Sequence, residues 1–185
     1  MPVYAYVLIG IAALILLLVV VVSLRPAAFK ITRTATMAAP PTAVFAQVND
    51  FHNWEGWSPW AKIDPAMTQT YDGAAAGVGA GYAWKGNGKA GQGRMTITDS
   101  VPAELIRITL EFVKPMKATN LTVFAFAPEG DGTRVTWTMT GTNGFVGKLF
   151  WLLLNLDKMV GKDFEKGLAS MKAVAESSGP NRLAA

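Results

Sequence analysis

Side chains able to carry chemistry are sparse in this sequence. His52 is the single histidine and there is no cysteine. That removes thiol catalysis, disulfides, thiolate metal sites and any site built on several histidines. His52 and Glu55 lie three residues apart, close enough to touch on a helical segment and act as an acid–base pair. The plainer reading is the polar edge of an aromatic helix. Asp157 flanks the apolar stripe of the last helix near Leu153 and Phe164, where a carboxylate could serve as a base. On the alternative reading it is a surface group paired with Lys158 or Lys162. Asp99 closes a strand, and either looks into a cavity or begins the Asp99-Ser100-Val101-Pro102 turn. Gly86-Asn87-Gly88-Lys89-Ala90-Gly91 fits G-x-G-x-x-G literally, but it falls on a hairpin turn with no helix after it and does not read as a phosphate cradle. Asn120-Leu121-Thr122, a glycosylation triplet, sits inside a strand pattern and is set aside.

The element that must position any site is the last helix, read from Phe145 to about Glu176. Leu149, Leu153, Leu156, Val160, Phe164, Leu168, Met171 and Ala175 recur every three or four residues, while Lys162, Glu165, Lys166 and Lys172 fall opposite. A stripe this long needs a broad partner, and the preceding chain supplies strands. Phe29 to Met37 reads as the first strand. Pro41 then opens a short helix with Val44, Phe45 and Val48 on its apolar side, followed by Phe51 to Trp60 with three tryptophans. The later strands are YAWK, GRMTITD, ELIRITLEF, NLTVFAFA and TRVTWTMTGT, punctuated by Asp72-Gly73, Asn87-Gly88, Glu129–Gly132 and Asn143-Gly144. The Gly/Ala-rich piece Gly73 to Gly81 reads as a mobile loop.

Folding the chain at Glu129–Gly132 sets Phe126 against Val135, Phe124 against Trp137 and Thr122 against Met139, with Arg134, Thr136, Thr138 and Thr140 on the other face. Folding at Asn87-Gly88 sets Trp84 near Gly91 and Tyr82 near Gly93. One face is apolar, and the last helix is its cover. The hollow between them is expected to be lined by Tyr82, Trp84, Met95, Ile97, Ile106, Ile108, Leu110, Phe124, Phe126, Val135, Trp137 and Met139 from the sheet, and by Leu153, Leu156, Val160 and Phe164 from the helix. These side chains offer area and stacking for an apolar guest, each worth ~1.5–3 kcal/mol when fully buried. No paired carboxylates, Ser/His/Asp set or metal cluster stands among them, and no cofactor is expected.

Val3 to Leu24 is apolar and uncharged, long enough for a bilayer core that needs roughly 20 such residues. No Lys or Arg precedes it, and Arg25-Pro26 follows it directly, so it reads as a retained single-pass anchor rather than a cleaved signal. Arg25, Lys30 and Arg33 just after the span place the following domain in the cytoplasm. The remaining about 155 residues suit one domain. The net charge of +4 comes from scattered lysines and arginines, which argues against nucleic-acid binding. Trp151 and Leu154 fall on the side of the last helix that later carries charge, so they either pack under Trp54–Trp60 or touch the bilayer.

This order of elements resembles the START-like, or SRPBCC, helix-grip superfamily. More narrowly it is similar to the membrane-anchored polyketide cyclase/dehydrase-like proteins. The resemblance rests on Ala39-Pro40-Pro41 with Val44-Phe45, on Phe51-His52-Asn53-Trp54 with Trp57-Ser58-Pro59-Trp60, and on Asp157 to Leu168. It implies a cavity for apolar ligands such as lipids, sterols or polyketides, and catalysis only in some members. The sequence therefore predicts an α+β chain. Residues 1–25 form a transmembrane anchor, 29–176 a helix-grip domain of antiparallel sheet around a long C-terminal helix, and 177–185 a flexible tail. The predicted function is membrane-tethered binding of an apolar small molecule or lipid. The alternatives are a cyclase or dehydratase using Asp157, Asp99 or His52, and a non-binding interaction module.

Overall fold

A computed structural model of the chain describes residues 2–177. The expected tail lies outside these residues apart from Ser177, which ends the last helix. Helix α1, Val3–Leu24, is long and apolar enough to cross a membrane by length and composition. Strand β1 follows at Ala28–Met37, then α2 at Pro41–Asn49 and a 3₁₀ turn at Phe51–Gly56. Pro41 sits at the helix start, where its missing N–H costs nothing. The Asp50 side chain accepts from the His52 backbone N–H at 2.9 Å and so caps the 3₁₀ turn.

Six more strands complete one antiparallel sheet: β2 Thr68–Gly73, β3 Ala80–Lys85, β4 Gln92–Val101, β5 Leu105–Lys114, β6 Ala118–Glu129 and β7 Gly132–Thr142. Their order is β1-β7-β6-β5-β4-β3-β2, a meander with β1 added to the edge at β7. The β6–β7 hairpin has the expected register: Phe126 faces Val135, Phe124 faces Trp137 and Thr122 faces Met139. The β3–β4 hairpin is shifted by two residues, with Trp84 opposite Gly93 and Tyr82 opposite Met95. A two-residue shift preserves the pleat, so the apolar face survives the error. Strand β2 is mostly polar and lies just ahead of the YAWK strand, where the pattern showed no strand. The Gly73–Gly81 segment is not a loose loop. Gly77 N–H donates to Asn49 O and Gly79 N–H to Ile97 O, each at 2.9 Å, and Ala80–Gly81 already belong to β3.

The last helix is two helices, α3 at Phe145–Leu153 and α4 at Leu156–Ser177. The break comes at Asn155, whose side chain accepts from Lys158 N–H at 3.1 Å and whose backbone carbonyl accepts from Lys158 and Met159. Asn155 is thus a helix N-cap that the apolar stripe concealed. Helix α4 lies across the sheet and buries Phe164, Leu168, Met171 and Ala175. Gly167 allows its close approach: a Cβ there would stand 2.9 Å from the Trp137 ring and 3.1 Å from Pro59.

Candidate ligand cavity

The strand ends define two ends of the sheet. At one, β1 begins beside the end of α1 and β7 finishes, and the turns 86–91 and 115–117 lie there too. We refer to it as the anchor end. At the other end, α2 and the 3₁₀ turn cover the sheet. Trp54 and Trp57 are fixed there by their indole N–H groups, which donate to Val48 O at 3.1 Å and Gln47 O at 2.9 Å. Both rings pack edge-on against Phe124 and Trp137.

This cover divides the residues expected in the hollow. Ile97, Ile106, Ile108, Phe124, Phe126 and Val135, far along their strands, are buried in the core beneath the tryptophans and stand outside the cavity wall. Tyr82, Trp84, Met95, Leu110, Trp137 and Met139, nearer the anchor end, line a cavity of about 240 Å³ with Val160 and Phe164 of α4. Leu153 is exposed at the end of α3 and Leu156 is half-buried, and neither reaches the wall. The pattern on the sheet face was sound. What it lacked was the depth to which Trp54 and Trp57 penetrate.

The rest of the wall comes from Trp54, Glu55, Ser58, Trp60, Ala61, Ile63 and Met67 before β2, from Gln69 and Tyr71 on β2, and from Ala90, Phe112 and Thr122. Phe112 was legible as the next inward position after Leu110, and Tyr71 pairs across from Tyr82. Trp84 lies over Gly93, where a Cβ would collide with its ring, and its N–H donates to Ala90 O at 3.0 Å. Asp64, buried, ties this rim together: it accepts from Asn87 N–H at 2.7 Å and from Ala66 N–H at 3.0 Å.

The wall is largely apolar, and its polar groups are few. Trp137 carries a buried indole N–H with no hydrogen-bond partner among the described residues. Burial pushes the Tyr82 phenol up to about 12, with Tyr71 adding to the effect. Tyr71 is also raised, by burial first and then by the Glu55 and Asp50 carboxylates. Both phenols are therefore neutral near pH 7, and Tyr71 donates to Gln69 at 3.1 Å.

The nominated proton-transfer groups lie elsewhere. Asp157 pairs with Arg33 at 3.5 Å, not with Lys158 or Lys162. Arg33 also donates to Glu165 at 2.7 Å, crossing α4 over Gly161, where a side chain would meet the guanidinium. Asp99 is ion-paired with Arg107. His52 donates its Nδ1–H to Asp50 at 2.8 Å and stacks on Tyr71 at 4.1 Å. His52 instead borders a second hollow, of about 270 Å³, along Tyr71, Gly73 and Ala74, which is more open and backed by loop. Glu55 is the single carboxylate on the wall of the first cavity among the described residues. No group of three or more His, Asp or Glu able to hold a metal occurs among the described residues.

Residues 28–176 match the family model described as polyketide cyclase / dehydrase and lipid transport, and the chain belongs to that family. Solved structures share the fold. Protein MLL2253 from Mesorhizobium loti is 11% identical with a TM-score of 0.60, over 82% of this chain and 99% of that one. Protein CV1439 from Chromobacterium violaceum is 18% identical with a TM-score of 0.56, over 80% and 96%. Ara h 8.0201 is 13% identical with a TM-score of 0.55, over 82% and 99%. At these identities the likeness concerns fold alone. No curated protein matches the chain.

Proposed function

We propose that this protein binds a small apolar guest, an acyl chain or a compact polyketide-like molecule, in the cavity between α4 and the anchor end of the sheet. The observation that carries the reading is a semi-enclosed, mostly apolar hollow placed where the helix-grip fold of a lipid-transport family separates helix from sheet. Its volume, about 240 Å³, is below the ~300–1,000 Å³ of drug-sized sites, which favours a slender guest over a fused-ring one. Trp137 is on the wall and its indole N–H has no partner among the described residues, which favours a guest with a carbonyl, carboxylate or hydroxyl beside its apolar body. Helix α1 holds the domain on the cytoplasmic face of a membrane. Nucleic acid has no part in the reading.

The test is to purify the full chain, extract it with organic solvent and identify what is released, beside a Leu110→Trp variant whose larger ring fills the cavity. A near-stoichiometric apolar compound from the wild type and its loss from the variant is the expected result. Equal recovery from both would refute cavity binding.

A further inference from the structure

The anchor end carries two features that the cavity does not explain. First, the large apolar side chains exposed on the domain gather there. Val113 and Met116 project at the β5–β6 turn, Ile63 beside the β3–β4 turn, and Phe150 and Leu153 on α3 with Leu154 just past its end. At the far end the exposed aliphatics are Val78 and Val101. Second, the lysines there are unpaired. Lys62, Lys85, Lys89, Lys114 and Lys117 are exposed and form no ion pair among the described residues. Away from that end, Arg107 and Arg134 are neutralised by Asp99 and Glu129, and Arg94, in the anchor half of β4, is neutralised by Asp72. Of the nearby carboxylates, Asp64 is buried and committed to backbone N–H groups, Asp157 is bound to Arg33, and Glu111 is exposed on β5 opposite Arg94, so the five lysines outnumber the one free acid.

Helix α1 fixes where this surface sits. Only Arg25 to Ala27 separate it from β1, a reach of about 10 Å at most. Helix α3 packs on the end of α1, with Lys148 Nζ donating to the Ser23 carbonyl at 3.2 Å, and the Trp151 ring packs at a tilt against Phe29, centroids 5.2 Å apart. Trp151 therefore does not pack under Trp54–Trp60. It seats α3 at the level where a spanning α1 would meet the headgroups.

We propose that the anchor end is a docking surface for an anionic bilayer, the same one α1 spans, with α3 and the β5–β6 turn entering the interface and the lysines meeting lipid phosphates. Apolar side chains rimmed by unpaired cations are what such a surface requires, each lysine near an anionic leaflet strengthening binding about fivefold. The cavity then lies directly behind the docked surface, since Trp84, Ala90 and Phe112 on its wall belong to that end. The proposal rests on the membrane tether of the preceding section but not on cavity occupancy.

Absence of cysteine makes the test clean. Met116→Cys, Leu154→Cys and Val101→Cys are each spin-labelled in the full chain, reconstituted in phosphatidylcholine vesicles with and without phosphatidylglycerol. Labels at 116 and 154 are expected to collide several-fold more with dissolved oxygen than with an aqueous nickel chelate when phosphatidylglycerol is present, and the label at 101 to show the reverse. Lys114→Glu with Lys117→Glu should return the label at 116 to water while the chain still resists carbonate extraction. Labels at 116 and 154 as wet as at 101 would overturn docking and leave the cavity reading standing. Labels shielded from both reagents would place protein, such as a second copy, on this face and equally overturn it. Release by carbonate would overturn tether and docking together.

Discussion

The indole of Trp137 lies flat against the ring of Phe164, centroids 4.0 Å apart and planes within 6°. One residue sits midway along β7 and the other on α4, so this stack joins the two layers. It also sits on the cavity wall, between the filled half of the interior and the open half. Phe164→Ala should cost about 3–5 kcal/mol, because the site is closed by Trp60 and α4 and cannot collapse freely. Chemical denaturation of the full chain in detergent checks this.

Gly167 tests the same contact from the backbone side. Alanine gains about 1 kcal/mol in helix propensity, but its methyl would stand 2.9 Å from Trp137 and 3.1 Å from Pro59. Both neighbours are ring atoms held by packing, so the crowding of about 1–3 kcal/mol outweighs the gain. Gly167→Ala is expected to lower the unfolding midpoint and Gly167→Val to lower it further.

The phenol of Tyr82 supplies a pH signature. Its folded pKa, about 12, exceeds its ordinary value near 10, so the folded chain holds a proton that the unfolded chain has lost between these limits. Its contribution to stability is complete below pH 10 and disappears as the pH rises through 12. Denaturation midpoints measured across that window should fall for the wild type and fall less for Tyr82→Phe.

The Trp137 N–H predicts the guest's polarity. Trp137→Phe keeps most of the stacking area and deletes the donor. Affinity for an acceptor-bearing guest should drop about five- to tenfold, the worth of one net hydrogen bond, while a pure hydrocarbon should bind no worse. Competition against a fluorescent fatty acid distinguishes the two.

Asp157→Asn should leave guest affinity unchanged, since that carboxylate faces Arg33 and not the cavity. Binding isotherms of wild type and variant should superimpose.

Much of this architecture is written in local pattern. Alternation along β6 and β7 gave the correct facing pairs because one slip would have turned Phe124 and Trp137 to solvent. The Asn143-Gly144 and Asp72-Gly73 signals stand at element ends as expected. The break at Asn155 was harder, since the apolar stripe runs through it unbroken and only the capping side chain marks it. The cavity wall was half legible for a different reason. Period-2 alternation tells which face a side chain joins but not how far along the strand another element reaches. Trp54 and Trp57 decide that, and their depth depends on hydrogen bonds to the α2 backbone that no spacing rule shows. Arg33 as partner of Asp157 was invisible because the contact spans most of the domain in sequence and depends on Gly161 leaving room.

The claim on which the rest depends is that the space beside Trp137 and Phe164 takes a guest. Native mass spectrometry of the full chain, released from detergent micelles, reads this directly when wild type and Leu110→Trp are compared. The account predicts a single apolar adduct on the wild type that is absent from the variant. A bare wild-type chain that still fails to take up added fatty acid, or an identical adduct on both proteins, would contradict it.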